Sequence, residues 1–118
     1  MPRKKSTNEK RPWGSYEILA ERKKYKLKEI TVNPGQRLSY QSHHRRTEIW
    51  AIVQGEGTVT LEGQKLDCYV GRSFFIPREQ KHRIECTGEK PLVFVEVQTG
   101  DYFGEDDITR FEDDYGRE

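Results

Sequence analysis

Gly35-Gln-Arg-Leu-Ser-Tyr-Gln41-Ser-His43-His44-Arg-Arg46-Thr-Glu48-Ile-Trp50-Ala-Ile-Val-Gln-Gly55 gathers amide, imidazole and carboxylate side chains into one glycine-bounded segment. On an extended chain alternate residues share a face, so Gln41 and His43 point one way, as do Arg46, Glu48 and Trp50 further along. Two neighbouring strands can therefore bring an amide oxygen, an imidazole and a carboxylate to one point. A fourth ligand must come from elsewhere, and His82 supplies it in Gly71-x5-Pro77-x4-His82-x3-Cys86. Two imidazoles and two oxygen donors suit Zn²⁺ and are compatible with Mn²⁺, Fe²⁺ or Co²⁺. No thiolate joins the set, so a position left open to solvent or substrate is expected. His44 falls on the other face from His43 and is expected at the surface or behind the ligands.

Outward from this segment the chain breaks into short alternating runs separated by turn signals at Asn33-Pro34-Gly35, Gln54-Gly55, Glu62-Gly63, Gly71 and Gly88. Thr58-Val59-Thr60-Leu61 alternates strictly, and Glu62-Gly63 predicts a tight hairpin turn before Lys65-Leu66. Leu92-Val93-Phe94-Val95-Glu96-Val97-Gln98 reads as a strand between packed layers. Only residues 106–111 hint at a short helical turn. Many short strands with Gly and Pro between them predict an all-β single domain, a sandwich or jelly roll closing into a barrel.

A chain of 118 residues holds one core. Its 21 Lys and Arg against 20 Asp and Glu give a formal charge of +1, which supplies no field for steering nucleic acid or a membrane, and neither is expected as a partner. Residues 1–10 are basic and lack apolar periodicity, so a flexible arm is expected there, with the folded domain over 11–118. No apolar run has the length of a signal peptide or a membrane span. Cys68 and Cys86 lie outside any CxxC spacing, which points to reduced thiols and a cytoplasmic location. Tyr102, Phe103, Ile108, Phe111 and Tyr115 give the acidic tail apolar anchors, so it is expected to be ordered and to close one end of the barrel.

The two glycine-bounded motifs resemble those of the cupins, whose fold is a double-stranded β-helix, with Gln41 at the first histidine, Glu79 at the second motif's glycine and Cys86 at its asparagine. Arg11-Pro-Trp-Gly-Ser-Tyr16, Pro34 to Trp50, Glu96 to Arg110 and Asp114-Tyr-Gly-Arg117 are similar to signature segments of the type II phosphomannose isomerase domains. The resemblance implies a metal-dependent exchange of mannose 6-phosphate and fructose 6-phosphate, an aldose–ketose isomerisation through an enediol-like intermediate. In many members of that family a nucleotidyltransferase domain precedes this one; guanylyl transfer is not expected of these residues alone.

Such a reaction needs a phosphate clamp and a proton carrier. Arg110, Arg117 and Arg46 are the candidates for the clamp, because a guanidinium grips phosphate with two parallel hydrogen bonds. Arg46 also shares the inward face of Glu48. Glu96 is a candidate base if Leu92, Phe94 and Gln98 face inward with it, and a solvated carboxylate if Val93, Val95 and Val97 do. Alternatives to the isomerase are a non-catalytic sugar-phosphate-binding module and another metal-dependent cupin enzyme such as a dioxygenase. A homodimer is expected, in which the segment Trp13 to Leu19 completes a partner's sheet.

Overall fold

A computed structural model describes residues 7–116. The chain forms strands β1 (Thr7–Arg11), β2 (Gly14–Glu21), β3 (Tyr25–Val32), β4 (Tyr40–Ser42), β5 (Arg46–Gln54), β6 (Glu56–Leu61), β7 (Gln64–Tyr69), β8 (Ser73–Ile76), β9 (His82–Cys86), β10 (Leu92–Gly100) and β11 (Thr109–Glu112). They build two antiparallel sheets, ordered β1-β2-β3-β10-β5-β8 and β11-β4-β9-β6-β7. Among the described residues no helix is long and apolar enough to cross a membrane.

The alternation read from the sequence fixes the inward faces. On β10 Leu92, Phe94, Glu96 and Gln98 are buried, while Val93, Val95 and Val97 lie toward the outside. Glu96 is therefore an interior carboxyl, which settles the orientation that periodicity left open. The predicted hairpin stands at Glu62-Gly63, where φ values of 46° and 81° match the double positive-φ turn that lets Leu61 pair with Gln64. Gly55, closing the first motif, has φ 84°, and a Cβ there would sit 2.8 Å from the Pro91 carbonyl oxygen. Glu79 holds φ 67° in the place where the second motif carries glycine. Its carboxylate lies 3.1 Å from His44 Nδ1, and its N–H donates to the His43 carbonyl at 2.7 Å, two ties that help offset the backbone cost.

Several expectations change. Residues 7–10, assigned to the flexible arm, belong with Arg11 to β1 and pair with β2; a polar strand at a sheet edge needs backbone partners and no apolar face. Trp13 to Leu19 is not left for a partner: β2 is bonded on one side to β1 and on the other to β3. The helical turn at 106–111 is replaced by β11, because β4 offers a free edge that pairs with it. Cys68 and Cys86 are free and buried; both stand opposite Gly57, one on each flanking strand, so two strand spacings of about 4.8 Å separate their backbones, beyond the reach of a disulfide.

Candidate metal centre

Glu48 on β5 lies in the larger sheet, whereas Gln41 on β4 and His82 on β9 lie in the other and stand directly opposite each other. His43 follows β4. One ligand atom from each of His43, Glu48 and His82 falls within 4.8 Å of the others, and all three residues are buried. His43 Nε2 lies 3.2 Å from Glu48 Oε2, and His82 Nε2 lies 3.8 Å from Oε1. The amide nitrogen of Gln41 donates to Ser39 Oγ at 2.9 Å, which leaves its oxygen as the donor atom for a cation.

The tautomers of both imidazoles follow from their other nitrogens. His43 Nδ1 is 2.6 Å from the Asp107 carbonyl oxygen, and His82 Nδ1 is 2.9 Å from that of Gln80. A carbonyl only accepts, so each Nδ1 carries the proton and each Nε2 turns a lone pair toward Glu48. Burial holds His43 down to about 4 and also lowers His82, so both rings are neutral at pH 7. Two imidazole lone pairs and a carboxylate aimed at one another are an acceptor set that a divalent cation fits.

Arg46 lies against this set: its Nε donates to Glu48 Oε2 at 2.9 Å and its Nη2 is 3.2 Å from His43 Nε2. Burial pushes the Glu48 carboxyl up, yet His43, His82 and Arg46 together outweigh it and leave Glu48 below the usual carboxylate range. Trp50 Nε1 donates to Glu48 Oε1 at 3.0 Å and to Glu96 Oε2 at 3.2 Å, tying the two carboxyls together. Burial and the neighbouring Glu48 charge lift Glu96 to about 8. Arg46 Nη1 and Gln98 Oε1 are buried with no hydrogen-bond partner among the described residues.

His43, Arg46, Glu48, His82 and Glu96 line an open pocket together with Gln41 and Trp50. Arg110 reaches its wall from β11, opposite Gln41, with a buried, unpartnered Nε. Arg117 lies outside the described residues. His44 is exposed, its side chain 57% accessible. Sequence reasoning missed Lys28, a buried amine 2.5 Å from Glu105 and 4.3 Å from the Tyr16 ring centre. Lys28 shares the inward face of Ile30 and Val32, and that alternation was its available signal. It also missed Asp107, for which no local pattern exists.

The sequence matches the family described as Mannose-6-phosphate isomerase C-terminal over residues 3–113. It is 46% identical over 107 residues to the xanthan biosynthesis protein XanB of Xanthomonas campestris, a match covering 91% of this chain and 23% of that protein. Against the mannose-1-phosphate guanylyltransferase ManC of Salmonella typhimurium the identity is 44%, over 91% of this chain and 22% of that one. The chain thus spans about a quarter of these relatives. An RmlC-like cupin from Shewanella frigidimarina superposes with a TM-score of 0.73 at 22% identity, covering 86% of this chain and 87% of that one. The double-stranded β-helix read from the motifs is the fold the strands form.

Proposed function

This chain belongs to the family of mannose-6-phosphate isomerase C-terminal domains, and from that premise we propose that it interconverts mannose 6-phosphate and fructose 6-phosphate with a divalent metal. Gln41, His43, Glu48 and His82 hold the ion, Zn²⁺ first among the candidates and Mn²⁺, Fe²⁺ or Co²⁺ after it. The strongest support is the buried convergence of His43, Glu48 and His82 in a pocket also lined by Arg11, Lys28, Arg46 and Arg110. Such an ion, when bound, stabilises negative charge developing on sugar oxygens.

The remaining work falls to the chain. Glu96 carries the proton between neighbouring carbons: it lines the pocket, and a carboxyl lifted to about 8 holds or yields a proton near neutral pH. Arg46, already spanning Glu48 and His43, keeps Nη1 for a sugar oxygen beside the ligands or for the phosphate. Arg110 is the principal phosphate clamp, with Lys28 adding positive charge; Arg117, outside the described residues, is kept as a further candidate for the phosphate. We place the protein in the cytoplasm, as its two reduced cysteines suggest, and as a homodimer, which its mass at micromolar concentration will check.

Stripped protein reloaded with single divalent metals, then assayed for fructose 6-phosphate formed from mannose 6-phosphate, tests the reading. Turnover that returns with one or two ions is the expected result. Metal uptake and sugar-phosphate binding without turnover under any ion would leave a binding module in place of the isomerase.

A further inference from the structure

His43 and His82 are oriented by different means. His82 takes its carbonyl from Gln80, two residues away on its own loop, whereas His43 reaches Asp107, 64 residues along the chain. Asp107 does more than lend a carbonyl. Its carboxylate accepts the N–H of His44 through Oδ1 and that of Arg45 through Oδ2, both at 3.0 Å. Three consecutive residues, 43 to 45, are thus gripped by one aspartate, itself only 8% exposed and braced by its own N–H to the Gly104 carbonyl at 3.1 Å.

We propose that Asp107 is the positioning residue of the metal centre, its carboxylate fixing the backbone of residues 44 and 45 so that its carbonyl holds His43 as the Nδ1–H tautomer with Nε2 facing Glu48. The proposal rests on the metal reading of the His43–Glu48–His82 cluster. Physically, a ligand whose ring orientation and tautomer are set before the ion arrives binds it more tightly than one that must be turned, and partners of this kind are typically worth about 10–100-fold in metal affinity.

Asp107→Asn preserves size and replaces one acceptor by an NH₂ group that faces a backbone N–H, so one of the two bonds to residues 44 and 45 is lost and the loop that presents the Asp107 carbonyl to His43 is loosened. The chain has three histidines, which makes ¹⁵N NMR of the metal-free protein at pH 7.5 a direct readout. In the parent, His43 and His82 should both show the Nδ1–H tautomer. In Asp107→Asn, His43 should become a mixture while His82 stays as it was, and Zn²⁺ affinity measured by chelator competition should fall about 10–100-fold. Asp114→Asn, in the same tail but engaged only at the surface with Arg37, serves as the control and should change neither. Unchanged tautomer and affinity in Asp107→Asn, or equal weakening in Asp114→Asn, would overturn the proposal. So would an Nε2–H tautomer at His43 in the parent, a result that needs no variant to fold. If the parent binds no divalent ion, the metal reading fails, while the His43 tautomers still decide whether Asp107 positions the ring.

Discussion

Four strands change character along their length, β10 and β3 at the same pair and β5 one inward pair further on. Along their inward faces β10 runs Leu92, Phe94, Glu96, Gln98; β5 runs Ile52, Trp50, Glu48, Arg46; β3 runs Val32, Ile30, Lys28, Lys26; and β9 runs Cys86, Ile84, His82. One end of the interior is hydrocarbon and the other is ionisable, yet both are buried. Trp50 and Phe94, with ring centres 5.0 Å apart, stand at the boundary, and Trp50 turns its N–H to the charged side. At the first end burial is favourable through apolar transfer and close packing. At the second, each charge must be matched by a partner to offset its desolvation, so that end gives up stability in exchange for chemistry.

The largest effect should come from the hydrocarbon end. Phe94→Ala empties a fully buried position and should cost about 3–5 kcal/mol in urea unfolding, leaving metal affinity of the folded fraction nearly unchanged. A loss below about 1 kcal/mol would mean that the two ends are not divided as described. At the other end His82→Ala removes a ligand without stranding a charge; metal affinity should drop more than about 100-fold, with turnover following, while His44→Ala keeps its metal in elemental analysis. Equal metal content in the two variants would break the assignment.

The ionisable end also predicts a pH signature. Glu96 is raised from 4.5 to about 8 on folding, so its contribution is fully present below 4.5 and is lost as pH climbs toward 8. In metal-free protein the stability of Glu96→Gln relative to the parent should therefore grow across that window, by no more than about 1.4 kcal/mol per pH unit. A difference that stays flat would show that Glu96 holds no proton near neutrality. Smallest is Glu79→Gly, on the exposed side of the loop that backs His43, which relieves a positive φ and should raise stability by up to about 1 kcal/mol in thermal unfolding. A loss of stability instead would show that the contacts of Glu79 with His44 outweigh the strain.

What could be read beforehand follows the same division. The cluster of His43, Glu48 and His82 was legible because strand alternation and glycine spacing are local; Gln41, read from the same spacing, lies on the wall of the same pocket. The hairpin at Glu62-Gly63 was legible for the same reason. Glu96 was visible as a candidate but not orientable, since β10 is apolar on its other face as well. β1 escaped because it is a polar strand with no apolar alternation, paired through its backbone and the contact of Arg11 with Tyr16, and Lys28 because buried lysine runs against expectation. Asp107 could not be found at all: its role depends on which strand edge the tail meets, and that is a property of the folded topology.

The long reach from His43 to Asp107 has a temporal side. Ribosomes deliver about 5–20 residues per second, so the 64 residues between them take roughly 3–13 s to appear. For the last 25 of those residues (107 − 82), about 1–5 s, a nascent chain holds both imidazoles and the carboxylate of the cluster, but not the residue proposed to align the first ring. On the positioning role proposed for Asp107, an ion that meets the folded chain finds a set pocket, whereas one that meets the shorter chain finds a flexible run of donors.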